Sequence, residues 1–204
     1  MSEALRLASQ CRSIEESEKH LDWPQPHQED NIGHAAATVI LAAASLEAAI
    51  NEVYLQAVDG NVEAFPSLTV PEVALLAKLW DVLERSRADV LRKHDVALTL
   101  AGRADMLLGE QPAQDVASLV KLRDLLVHFK PEWGDELGRH PKIEKRLKSA
   151  FAPNQLSARA QGHMLWFPGK CLGAGCADWA CEVALKYHSE FTTRLGVASR
   201  LPAD

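Results

Sequence analysis

Aromatic side chains are sparse in this 204-residue chain, with two Tyr, five Phe and five Trp making up 6% of it. The tryptophans at 80, 133, 166 and 179 are read as core or interface residues rather than as stacking platforms for bases. Positive charge is also in short supply. Twenty-two Lys and Arg stand against 28 Asp and Glu, a net of -6, which excludes nucleic-acid binding through bulk electrostatics and confines any RNA contact to a local patch. The four cysteines, at 11, 171, 176 and 181, contain no CxxC pair and are expected to be reduced thiols. Long hydrophobic runs are missing as well: AAATVILAAASL, at 35 to 46, ends at Glu47 and is short for a bilayer span. The first twenty residues do not resemble a secretion signal, so a cytoplasmic protein without a membrane partner is expected. Gly-rich phosphate loops, a dinucleotide fingerprint and a GxSxG elbow are all lacking. GKCLGAG, at 169 to 175, departs from the Walker pattern and reads as a flexible lead-in to the last helix.

What remains is helical pattern in an ordinary globular composition, 47% hydrophobic and 25% charged. Ser2 and Glu3 predict a capped first helix with Ala4, Leu7, Ala8, Cys11, Ile14 and Leu21 on its apolar stripe, ending before Pro24 and Pro26. From about Asn31 to Val58 the chain is apolar nearly all round in its first half, which predicts the most buried helix, stopped at Gly60. Thr69 and Glu72 form a capping box ahead of VALLAKLWDVL, and a further helix is expected over 86 to 100. GRADMLLGEQP is a connection, and 113 to 129 is helix up to the approach of Pro131. The 131 to 168 stretch is mixed, with a short charged helix at PKIEKRLKSAF and the one strand-like run, HMLWF, at 163 to 167. In the last helix Cys176, Trp179, Val183, Tyr187 and Phe191 fall at spacings of three and four, and Gly196 ends it. The class is all-α, a bundle of about five to seven helices in a single domain, with 1 to 30 as an N-terminal helix and linker and 31 to 196 as the core.

Chemistry-bearing residues concentrate in LRDLLVHFKPEW, at 122 to 133. Val116, Leu119, Val120, Leu122, Leu126 and Phe129 are its packing positions, while Lys121, Asp124 and His128 make a polar stripe at spacings of three and four. Asp124 lies one turn before His128, where a carboxylate can hold and charge the imidazole, and the helix C-terminus pushes the same way. Arg123 and His128 are about 140° apart on a regular helix. For them to meet, the last turn must loosen, or each must meet a partner's copy across a dimer axis. Short Arg-to-His spacings arise by chance, and Arg87 with His94 is a second instance here. From the residues alone, helix punctuation is the better account of the motif, with Arg123 pairing to Glu47 or Glu52. From Lys121 to Lys148 eight Lys or Arg face five acids, a modest basic island.

Taken together, LEAAINEVYLQA at 46 to 57, QPAQD at 111 to 115, LVKLRDLLVHFKPEW at 119 to 133 and DWACEVALKYHSEF at 178 to 191 resemble a HEPN-type all-helical protein. The likeness runs over about residues 35 to 191, and its diagnostic core is Arg123, polar Asp124, three residues, then His128. The family often has Asn after its Arg; Asp124 keeps the polarity and adds a negative charge. The resemblance implies a helical bundle, commonly a homodimer, that in many members cuts RNA without a metal or other cofactor and in others only binds. It implies Arg123, His128 and Asp124 as catalytic residues and Lys121 and Lys130 as phosphate contacts. An antitoxin-like protein partner is a further expectation.

Glu47 and Asn51, one turn apart on the apolar helix, are expected either to orient Arg123 or to form a hydrogen-bonded core pair. Cys171, Cys176 and Cys181 are spaced by five, which turns each thiol about 140° from the last and suits buried packing better than zinc. His20, His27 and His34 recur across a proline-broken segment that cannot keep one helical face.

Overall fold

The computed structural model describes residues 1–22, 25–106, 109–128, 141–157, 166–199 and 201–202. Among them the chain forms seven α-helices and no strand: α1 Ser2–Glu18, α2 Gln28–Val58, α3 Val70–Arg85, α4 Val90–Leu100, α5 Ala113–Val127, α6 Pro141–Ala150 and α7 Ala174–Leu195. The all-α class and the helix number expected from pattern are both met. Most of HMLWF lies outside the described residues, and Trp166 and Phe167 belong to an irregular turn, Trp166–Lys170, in which Phe167 is extended.

Contacts group into two compact units, one comprising Met1–Ala43 with Ser118–Val183 and the other Ala44–Ala117 with Ala184–Asp204. The divisions fall inside α2, α5 and α7, so each unit is assembled from segments distant in sequence.

In the first unit α1 buries Ala4, Leu7, Ala8 and Cys11 as its spacing predicts, then Glu15 and Glu18 where Ile14 and Leu21 were expected. Glu18 accepts from His27 N–H at 3.1 Å, and Glu15 belongs to a polar cluster at the start of α7. Glu15 accepts from Ala174 N–H at 2.7 Å, Asn31 Nδ2 at 3.0 Å and Gln155 N–H at 3.3 Å, so one carboxylate satisfies helix-terminal and loop donors together. Asn154 Nδ2 donates to Leu172 O at 2.6 Å, and its Oδ1 accepts from Leu156 N–H at 3.0 Å. Gly173 sits in this knot: a Cβ there would strike Glu15 Oε1 and come within 2.7 Å of Asn154 Cβ. GKCLGAG is thus a closely packed buried turn and not a flexible lead-in. The start of α1 is also corrected: Ser2 is its first helical residue and Met1 its cap, with no side-chain capping bond.

The second unit holds α3, α4, the C-terminal half of α2 and the end of α7. The capping box of α3 is present, with Glu72 accepting from Thr69 N–H at 2.6 Å and its hydroxyl at 2.7 Å. The α4 helix starts at Val90, later than expected, because Asp89 caps it by accepting from Arg92 N–H at 2.9 Å. Tyr54 of α2 stacks on Trp80 of α3, with ring centroids 5.8 Å apart, and its hydroxyl donates to Lys93 O of α4 at 2.8 Å. Gly196, at φ +76°, closes α7 with 2.8 Å and 3.0 Å bonds from Gly196 and Val197 N–H to Thr192 O.

By length and composition α2 is apolar enough to cross a membrane. Ala35, Val39, Ala42, Leu46, Ile50, Val53 and Tyr54 of this helix lie inside the protein's own core.

Candidate functional site

The α5 helix presents the Arg-polar-His motif on an anchored element. Leu119 and Leu122 are fully buried, and Val120, Leu125 and Leu126 are half-buried on either side, so the backbone under Arg123 is fixed by apolar packing. Lys121, Asp124 and His128 are exposed, and Arg123 is half-buried. Phe129, Lys130, Pro131 and Trp133 lie outside the described residues, so the phosphate contact expected at Lys130 does too.

The helical bond from His128 N–H to Asp124 O is 2.9 Å, so the turn stays regular through His128. Arg123 and His128 therefore point about 140° apart and do not share a face within one chain. The Asp124 carboxylate turns to its neighbour: Oδ1 lies 3.3 Å from Arg123 Nε, out of line for a hydrogen bond, and that buried nitrogen has no acceptor among the described residues. Asp124 as the holder of His128 is not what the described contacts show. The helix end thus carries an imidazole open to solvent and a half-buried guanidinium whose Nε has no hydrogen-bond partner among the described residues.

Asn51 finds a different partner from Arg123. Its Oδ1 accepts from Lys93 Nζ at 2.8 Å; the same ammonium meets Glu84 Oε1 at 2.9 Å and lies 5.3 Å from the centre of the Trp80 ring. Lys93 is 3% exposed, so its three protons are directed at an amide, a carboxylate and an aromatic face. Glu47 is half-buried. Sequence reasoning passed over Lys93, although its position between Val90 and Ala97 on the apolar stripe of α4 was the available signal. The next residue, His94, is fully buried; its Nδ1–H donates to Val90 O at 2.7 Å, and its ring meets those of Phe191 and Tyr187 at 4.4 Å and 5.0 Å. Burial, aided by the nearby His188, pushes its pKa down to about 3 against the opposing Val90 carbonyl. The second Arg-to-His pair thus divides into an exposed Arg87 and a core His94.

No protein-family model, curated protein or solved structure matches the chain. The chemistry of α5 therefore has to follow from its own residues.

Other sites weaken on inspection. All four cysteines are buried free thiols. Burial pushes Cys11 up to about 12 and Cys181 up to about 11, and a hydrogen bond with Cys171 together with burial holds Cys176 well above the usual thiol range. Among the described residues no three His, Cys, Asp or Glu are grouped closely enough to hold a metal ion. His27 pairs with buried Glu18, whose hydrogen bond raises the pKa of the imidazole. A cleft of ≈ 240 Å³ in the second unit is lined by Asp105, Met106, Gln111, Glu190 and Arg194 among others. The Arg194 guanidinium there is engaged by Glu190 and by the carbonyls of Ala104 and Asp105, at 3.3 Å and 2.5 Å.

Proposed function

We propose that the protein is a metal-independent endoribonuclease acting through Arg123 and His128, assembled as a homodimer in which each composite site takes the arginine of one chain and the histidine of the other. The observation that carries this is the end of α5: a solvent-facing His128 and an Arg123 whose Nε has no acceptor among the described residues, on a helix anchored by fully buried Leu119 and Leu122. A neutral His128 takes the proton of a ribose 2′-hydroxyl as that oxygen attacks the adjacent phosphate; in its charged form it returns a proton to the departing 5′ oxygen. Arg123 offers its planar fork to the phosphate oxygens, where charge builds in the transition state. Lys121, exposed one turn before Asp124, supplies a further phosphate contact. Because the two side chains diverge by about 140°, bringing arginine and histidine to one phosphate calls for two copies.

A second reading, a non-catalytic binding module, is favoured by one contact: Asp124 beside Arg123 offsets the charge that a phosphate would seek. Incubating wild-type and His128→Ala protein with labelled RNA in EDTA, with circular dichroism on both, separates the two. Cleavage by wild type alone, leaving 2′,3′-cyclic phosphate ends, is expected; no cleavage by a folded wild type replaces the nuclease with the binding module.

A further inference from the structure

The α6 helix carries four basic residues and one acid in ten, in a chain whose net charge is -6. Its apolar residues are few and used: Ile143 and Leu147 are buried, and Phe151 just beyond the helix packs on Trp179 with centroids 5.3 Å apart. That anchoring turns Lys142, Lys145 and Lys148 outward at a spacing of three, and all three are exposed. Arg146 ties α6 to α5, its Nε donating to Ser118 Oγ at 2.6 Å. On α5, Lys121 and His128 lie about 60° and 80° round the helix from Ser118, to the same side, so the exposed stripe of α5 begins beside the place where α6 docks. Where α6 ends, Lys148 Nζ lies 5.6 Å from the centre of the Trp166 ring and 2.5 Å from Glu144 Oε1. Trp166, expected in the core or at an interface, is partly exposed.

We propose that α6 is the tract that holds single-stranded RNA, with Lys142 and Lys145 binding backbone phosphates beside Trp166 and the strand leading along Lys121 to His128. This rests on the ribonuclease reading for the destination of the strand, though the binding itself needs no cleavage. A row of exposed ammonium groups beside an aromatic ring suits a polyanion carrying stackable bases. A single strand is favoured over a duplex because attack by a 2′-hydroxyl on its own phosphate needs a nucleotide free to leave helical geometry, and because unstacked bases are what an aromatic side chain can take. From Ser118 to His128 the helix rises about 15 Å, the length of roughly four stacked nucleotides.

The test uses the full-length His128→Ala protein and a fluorescein-labelled 20-nucleotide oligouridylate, followed by anisotropy from 50 to 200 mM NaCl. Adding Lys142→Gln and Lys145→Gln removes two exposed cations and keeps good helix formers in place. Affinity at 50 mM is expected to fall about tenfold, and the slope of log K against log salt to lessen by about 1.4, two phosphates at 0.7 each. Lys78→Gln with Lys186→Gln, exposed positions on α3 and α7, makes the same change in net charge and is expected to leave both quantities unaltered. Equal affinity and slope in the α6 variant and its parent overturn the inference, as does an equal loss in the control pair. Displacement of the RNA by a 20-residue polyglutamate at equal concentration overturns it in favour of an acidic protein segment. If wild type cleaves RNA while the α6 variant binds undiminished, the tract fails and the nuclease stands. Slope-sensitive binding without cleavage by wild type is the reverse case.

Discussion

His94 shows how much depends on the surroundings of one residue. Its imidazole is enclosed by aromatic rings and stays neutral in the folded chain down to about pH 3, whereas in the unfolded chain it takes a proton near 6.5. Between those values the unfolded state binds more protons, so stability is complete above pH 6.5 and falls by about 1.4 kcal/mol per pH unit as acid is added. Urea titrations at pH 7, 6, 5 and 4 should show this slope in wild type and lose it in His94→Leu; parallel slopes would mean that His94 is accessible to protons when folded. At the same scale the limits of sequence reading are plain. A polar partner was expected for Asn51, but Lys93 was not named, because the bond joins residues 42 apart and no local period encodes it. Arg123, Asp124 and His128 were legible as a motif at one helix end; the turn of Asp124 toward Arg123 is a rotamer choice that spacing does not record.

Elements whose ends are set by neighbouring residues were read well. The Thr69 and Glu72 box, the Gly196 stop and the spacing of three and four along α7 all depend on contacts within a few residues, and all three stand. Elements ended by remote groups were not. The N-terminus of α7 is satisfied by Glu15, 159 residues away, and α1 therefore buries an acid that its periodicity assigned to solvent. Gly173 is the point at which this arrangement is most vulnerable. Gly173→Ala forces a methyl group against the Glu15 carboxylate and the Asn154 side chain, and is expected to cost about 2 to 3 kcal/mol, with a thermal midpoint several degrees lower. An unchanged midpoint would show that the knot has room that the distances deny it.

For the molecule as a whole, the divergence of Arg123 and His128 makes a distinctive demand. In a dimer with composite sites, mixing folded Arg123→Ala with His128→Ala places both lost groups in one site of each heterodimer and leaves the other intact. Half the dimers are then heterodimers with one working site of two, so the mixture should recover about a quarter of wild-type activity from two inactive proteins. No recovery, with subunit exchange verified by native mass spectrometry, would assign each site to a single chain and require the end of α5 to rearrange. The division of contacts into two units was not legible from composition, since neither a linker nor a shift in residue usage marks it; the boundaries run through the middle of three helices.

The Glu15 cap also bears on the order in which the protein is made. The Glu15 carboxylate leaves the ribosome well before the Ala174 amide that it caps, which is made 159 residues later. At the usual rate of about 5 to 20 residues per second, α1 waits roughly ten to thirty seconds for its partner. In this sense α1 is locked only when α7 is made, and until then the Glu15 carboxylate is held by water.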